Sequence, residues 1–345
     1  MKLDHLQPDS VIKKRKRAAW IIAVLFILIV NSFIISLNTG YIRLSPFEVI
    51  STVTGFGTDQ QELILFQFRL PRIVIAILAG MGLAVSGAIL QGIVRNPLAD
   101  PGIIGINAGA GLAVMLFISF FSSDLGSSVF ALPFFALLGG GAAAVVIYLF
   151  SYKKDEGVSP IRLILVGVAV AAGINALMIV LTLRLDPESY EFLATWQAGS
   201  IWGSNWSFVQ ALLPWLIILI PFALMKSSVL DVLNLGDHTA VSLGTDLEKE
   251  RRILLAVAVG LAASSVSVSG GIGFVGLIAP HITRQLIGSA HKYVIPISAL
   301  IGALLVLGAD TIGRILLQPS EIPAGVVVAV IGAPYFLYLL AKLND

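Results

Sequence analysis

The chain has 345 residues, of which 57% are hydrophobic and 12% charged, and its net charge is +2. Soluble domains carry about 25% charged residues. Half that proportion leaves too little polar surface to face water all round, so lipid must be the solvent for much of this chain. Cysteine is absent, which excludes disulfides, thiolate metal ligands and a cysteine nucleophile.

Ten apolar stretches approach the roughly 20 residues a helix needs to cross the hydrocarbon layer. The first, residues 18–37, follows the basic run Lys13, Lys14, Arg15, Lys16 and Arg17. It is too long for a signal-peptide core, and no convincing cleavage site follows. A retained helix behind a basic cytoplasmic tail, residues 1–17, is expected. A mixed polar and apolar stretch, 38–70, is expected to fold against the outer membrane face. Residues 73–93, 103–121, 129–150, 161–183, 208–224, 253–268, 272–287, 293–308 and 324–340 complete the set. Lipid offers no partner to an open backbone, so each must be a helix. Residues 18–345 therefore read as one all-α, ten-helix membrane domain.

Basic residues set the orientation. With both termini in the cytoplasm, that side receives Lys2, the run 13–17, Arg95, Lys153, Lys154, Arg162, Lys226, Lys249, Arg251, Arg252, Arg284, Lys292 and Lys342. The outer side receives only Arg43, Arg69, Arg72, Arg184 and Arg314, each an exception that invites a reason. The outer segment 184–207 carries Asp186, Glu188, Glu191, Trp196, Trp202 and Trp206, and the tryptophans read as an interfacial aromatic belt. The largest cytoplasmic loop, 226–252, is too long for a simple connector. Within it Gly236 and Gly244 bracket a short helical stretch, with Asp237 placed to cap it, and the loop reads as a protein-docking surface. Ser86-Gly87-x-Ile89 with Pro97, and Ser269-Gly270-x-Ile272 with Pro280, hint at an inverted duplication.

Some chemistry is missing. No G-x-x-x-x-G-K-[ST] phosphate loop and no H-E-x-x-H motif occurs, and His5, His238, His281 and His291 are scattered. Ser86 and Ser269 have no histidine nearby in sequence and suit close helix packing instead. Buried ionisable residues mark ion-coupled transport, but the helix centres are nearly free of them. Asp310, Arg314, His281 and Arg284 are expected at helix ends. A transporter of this kind must draw its energy from a partner. A stand-alone carrier and an intramembrane enzyme both fit less well.

Several motifs then stand in order. They are Arg69-Leu70-Pro71-Arg72, Ser86 to Gln91, Asn96-Pro97-Leu98-Ala99-Asp100-Pro101-Gly102, and Leu235-Gly236 through Ala240 to Leu243-Gly244. Gly273 to His281, Glu321-Ile322-Pro323-Ala324-Gly325 and Gly332-Ala333-Pro334 follow. The set resembles the iron-siderophore and cobalamin permease family of ABC importers, the second structural type, from about Arg69 to the C-terminus. The resemblance implies a cobalamin-permease-like ten-helix subunit in a bacterial plasma membrane. This subunit would pair with a second permease, identical or paralogous. Two ATP-binding cassette ATPases would bind below and an extracytoplasmic binding protein above. Ferric siderophores are the leading cargo, with cobalamin and haem as alternatives. ATP and magnesium would sit on the ATPases, so no cofactor and no catalytic residue is expected here, nor any nucleic-acid partner. Arg69, Arg72 and Arg314 match the positions that receive acidic residues of the binding protein, where charge pairs steer encounter and fix register. Leu235, Gly236, Asp237, Ala240, Leu243 and Gly244 match the helices that couple to the ATPase. Asn96, Leu98 and Ser159 match the inner gate.

Overall fold

The computed structural model describes residues 9–40, 42, 44–121, 130–154 and 157–343. Helix α1 (Asp9–Asn38) leads to the short α2 (Pro46–Val53) and α3 (Asp59–Glu62), both opened by capping boxes, Ser45 with Glu48 and Thr58 with Gln61. A π-helical stretch, Leu63–Arg69, joins α3 to α4 (Leu70–Val94) without a break. After a turn and one 3-10 turn, Pro101–Ile104, come α5 (Ile106–Phe121) and α6 (Ala131–Ser151), then a two-residue hairpin of β1 (Tyr152–Lys153) and β2 (Gly157–Val158). Helices α7 (Pro160–Thr182), α8 (Pro187–Gln197), α9 (Trp206–Met225), α10 (Ser227–Asn234) and α11 (Asp237–Ser242) follow. The chain ends with α12 (Leu247–Ser269), α13 (Val275–Ile287), α14 (His291–Leu316) and α15 (Ala324–Leu343).

Each of the ten apolar stretches falls on a helix: α1, α4, α5, α6, α7, α9, α12, α13, α14 and α15. Eight of these are long and apolar enough to cross a membrane, whereas α5 has 16 residues and α13 has 13. Both start later than their sequences suggest, for local reasons. Asp100 caps the 3-10 turn through Gly102 N at 2.8 Å, and Gly105 takes a left-handed conformation before α5 can begin. Gly270 ends α12, and residues 270–274 stay non-helical until Val275.

Helix α4 lies at the centre. Of its most apolar window 78% is buried, against 17% for α1 and for α7, which marks the latter two as peripheral. Central helices in lipid gain little from hydrophobicity and associate by close packing of small residues. Two contacts show this. A Cβ on Gly80 would lie 2.3 Å from the carbonyl oxygen of Gly302 in α14, and one on Gly87 would lie 1.9 Å from that of Gly276 in α13. Any larger residue at these positions would push α4 off its neighbours. The uncharged run from Ile73 to Val94 supplies the rest of the buried surface.

Two expectations change. The residues that hinted at a duplication fall on unlike elements, Ser86 and Gly87 inside α4 but Ser269 at the end of α12, and Pro97 in a turn but Pro280 inside α13. The outer segment 184–207 is no loose belt. It contains α8, capped by Asp186 through Ser189 N at 2.9 Å. Trp202 is exposed and Trp206 donates from Nε1 to the carbonyl of Phe66 at 2.7 Å, but Trp196 is buried and its carbonyl accepts from Gly271 N.

Candidate functional site

Contacts sort the helix ends into two faces, consistent with the orientation expected from charge. One face holds the start of α1, where Lys14 approaches Gly288, together with the ends of α4 and α9 and the starts of α12 and α14. The opposite face holds the end of α1, Arg69, Arg72, Arg314 and Glu321.

On that outer face the three arginines converge. The last carbonyls of a helix have no intrahelical partner. Arg69 donates to the carbonyls of Leu37 and Ile42, and Arg314 donates to the carbonyl of Thr39 at 3.1 Å and to the Ser36 hydroxyl. Both guanidinium groups are buried against the end of α1, where positive charge also complements the helix dipole. Arg72 donates from Nε to Asp310 Oδ1 at 2.9 Å and pairs through Nη1 with Glu321 Oε2 at 2.7 Å, while Arg314 Nε lies 3.2 Å from Asp310 Oδ2. The sequence reading placed Asp310 and Arg314 at the end of their helix. Arg314 does lie in the last turn of α14, but Asp310 lies more than a turn before its end at Leu316 and is 1% exposed. His281 likewise lies mid-helix in α13. The missed signal was the four-residue spacing of Asp310 and Arg314 in an otherwise apolar run. Arg43 lies outside the described residues. Beside Arg72 and Glu321 a cavity of about 680 Å³ opens, lined in part by Glu188, Glu191, Trp196 and Trp202.

On the inner face, α10 and α11 stand on the bundle. Leu230 and Leu233 of α10 and Ala240 of α11 are buried, and Leu235, Val241 and Leu243 are exposed. Gly236 has φ 104° and Gly244 φ 80°, conformations that side-chain-bearing residues rarely adopt. Asp237 does not cap α11 as expected. Its Oδ1 is taken by Arg95 at 2.9 Å and Arg251 at 2.6 Å. Lys226 pairs with Glu250 at 2.7 Å, and His291 Nδ1 with Asp231 Oδ1 at 2.7 Å. Sequence reading picked out neither Arg95, Arg251 nor Asp231 for a role, since their partners lie in other helices.

The gate residues separate into two places. Asn96 Oδ1 accepts from Leu98 N at 2.9 Å, a side-chain-closed turn, and Leu98 packs with Leu277 and Ile278 of α13. Ser159 precedes α7, and its carbonyl accepts from Leu163 N at 3.0 Å. The residues on either side of it, Val158 and Pro160, line a pocket with Ile93, Asp237 and Arg251. Gln91 ties the inner turn to α13, donating to the carbonyls of Ala99 at 3.1 Å and Gly276 at 3.2 Å while accepting from Arg284. The pairs Arg72–Asp310, Arg251–Asp237 and His291–Asp231 each join two helices.

Comparison with known proteins decides the family. The model of the FecCD transport family matches residues 26–342. The chain belongs to the FecCD transport family. Among FecCD relatives, it is 53% identical to the iron(3+)-hydroxamate import system permease protein FhuG of Bacillus subtilis, over 96% of this chain and 99% of the relative. It is 37% identical to the Fe(3+) dicitrate transport system permease protein FecD of Escherichia coli, over 90% and 95%. A solved metal-chelate type ABC transporter in an inward-facing conformation superposes with a TM-score of 0.82 at 34% identity, covering 94% of this chain and 99% of that one. The FecCD fold seen here is thus the all-α permease fold of the second importer type, and the chain is a multi-pass membrane protein.

Proposed function

We propose that this chain is the permease subunit of an ABC importer in the bacterial plasma membrane and carries ferric siderophores, hydroxamates first among them. The observation that carries the reading is the 53% identity, over 96% of the chain, to a permease whose own system imports iron(3+)-hydroxamates. The chain's features support it. It has no phosphate loop of its own, so hydrolysis belongs to two partner ATPases, which carry ATP and magnesium. Leu235, Val241 and Leu243 stand exposed on the inner face around a glycine-bracketed helix, and such bare apolar side chains outside the lipid suit a protein cleft. This is the coupling element, residues 235–244. The exposed side of α7 faces a second permease subunit or the path between the two.

On the outer face the binding protein docks over the arginine cluster. Arg69 and Arg314 are committed to the end of α1, so Arg72 is the member whose partner Glu321 lies nearest solvent, at 34% side-chain exposure. Incoming carboxylates would compete with Glu321 for Arg72, and with the α1 carbonyls for the other two as that end loosens. Asn96, Leu98 and Ser159 are the inner gate in this reading, with the Asn96 turn and the packing of Leu98 on α13 fixing the position of one side of it.

The test is uptake of radiolabelled iron presented with hydroxamate, catecholate and citrate chelators, in cells with and without the gene. Loss of hydroxamate-bound iron uptake, with cobalamin uptake intact, is the expected result. Unchanged uptake of every chelate in cells cleared of other iron permeases overturns the assignment of cargo.

A further inference from the structure

Asp237 opens α11, and one of its oxygens is held by arginines from two other helices, Arg95 Nη2 at 2.9 Å and Arg251 Nη2 at 2.6 Å. Arg251 lies near the start of α12. Arg95 is the residue that ends α4, with its backbone in the left-handed region at φ 54°. A non-glycine residue persists there only when its surroundings hold it. The next residue, Asn96, builds the turn that seats Leu98 against Leu277 and Ile278. Direct contacts therefore run from α11 through Asp237 and Arg95 to the turn 96–98, with no slack linker between. Gly236 lies alongside the same arginine, since a Cβ there would be 3.6 Å from Arg95 Nη1, ordinary van der Waals contact. The neighbouring pairs differ in kind. Lys226 with Glu250 and Asp231 with His291 fasten the segment around α10 to the starts of α12 and α14, away from that turn.

We propose that Arg95 is a positioning residue that carries displacement of α11 to the inner turn at residues 96–98, with Asp237 as its handle and Arg251 as its fixed pivot. This deepens the coupling reading of α11 and rests on it. Helix α4 is packed tightly among α12, α13 and α14, so a pull on its last residue is taken up in the turn that follows rather than in the helix. Arg95 and Asp237 keep 35% and 39% side-chain exposure, and ion pairs that open to water add little to stability. Neutralising them should therefore leave the fold intact and appear only as lost transmission.

The experiment uses the complete importer, with its ATPases and binding protein, in proteoliposomes, and reads ATP hydrolysis and uptake of a ferric hydroxamate separately. In Arg95→Gln, hydrolysis stays within about twofold while uptake falls about tenfold, the scale of a typical coupling free energy. Arg95→Lys keeps most of the uptake. The double variant Arg95→Gln, Asp237→Asn is no worse than the poorer single one, because both remove the same link. The chain has no cysteine, so Leu98→Cys supplies a single thiol at the turn. Its labelling by a water-soluble maleimide changes when ATP is added, and Arg95→Gln abolishes that change. Unaltered uptake and unaltered thiol response in Arg95→Gln overturn the linkage. A loss of ATPase co-purification in that variant overturns it too, and makes Arg95 part of the docking surface. Uncoupling by Gly236→Leu with Gly244→Leu tells the two readings apart. If that pair uncouples and Arg95→Gln does not, only the linkage fails. If the pair transports normally, the coupling reading of α11 fails with it.

Discussion

The carboxylate of Asp310 faces Arg72 and Arg314 from inside α14, and Arg314 in turn holds the end of α1. A buried acid between two arginines adds little net stability as a group, but removing one partner strands the others. Asp310→Ala leaves Arg72 with Glu321 alone and Arg314 with no acid, so a loss of about 3–5 kcal/mol is expected. Thermal unfolding of the detergent-solubilised chain checks this, and a melting temperature unchanged from the parent would show the cluster to be dispensable. Asp100 is a second acid under constraint, beyond the end of α4. It keeps some surface, yet burial pushes its carboxyl up to about 6 against hydrogen bonds from the amides of Gly102 and Leu277. For an acid with a raised folded value the sign is fixed. Its contribution is fully present below the unfolded value of 3.8 and is lost as pH rises through about 6. The melting temperature should therefore fall between about pH 4 and 6 and level off above that. Asp100→Asn keeps an acceptor for the Gly102 amide and cannot ionise, so it should remove that step. The same slope in both proteins would assign the pH dependence to other groups.

At the scale of elements, the apolar runs were legible because lipid forces each of them to be helical, and α4 was the clearest, uncharged from Ile73 to Val94. The starts of α5 and α13 were not, since apolarity continues through Ile103 and Ile272 while Gly105 and Gly270 turn the backbone. Helix α8 was hidden by composition, because its acids and Trp196 read equally well as part of a surface belt. In the outer cluster the arginines stood out as charge-rule exceptions, but their partners are carbonyls of α1 and an acid 238 residues from Arg72, which no local pattern reveals. The bracketing glycines of α11 were readable, because only glycine accepts the backbone they need. Gly236 at φ 104° and ψ 158° lies where a side chain costs about 1–3 kcal/mol. Gly236→Leu with Gly244→Leu should distort α11 locally while the buried Ala240, Leu230 and Leu233 hold the surrounding fold. Hydrolysis without uptake in the reconstituted importer is the expected outcome, and tightly coupled transport would remove α11 from the mechanism.

For the whole molecule, the surface of α7 bears on assembly. Most membrane-facing helices here present large side chains, such as Phe26 and Ile27 of α1 or Ile217 and Ile218 of α9. The exposed side of α7 is large at Leu165 and Val168, small at Ala169, Ala172, Gly173 and Ala176, and large again at Leu177, Ile179 and Val180, with Asn175 also exposed. Lipid tails cannot satisfy an amide, and small residues let a second helix approach closely. That stretch therefore faces either a second permease subunit or the path between the two, and in both cases a large side chain there acts on the pair rather than on the single chain. A Cβ at Gly173 meets nothing within 4 Å, so Gly173→Trp is tolerated by the monomer. Cross-linking in native membranes should show the dimer weakened, or retained with its transport blocked, while the melting temperature of the isolated chain stays level. The matching substitution on α9, Ile218→Trp, should do neither, because that side chain already stands 65% exposed on a face of large apolar residues. An equal effect from both variants would mean that bulk at the lipid surface is what matters, and would leave α7 without a role in assembly.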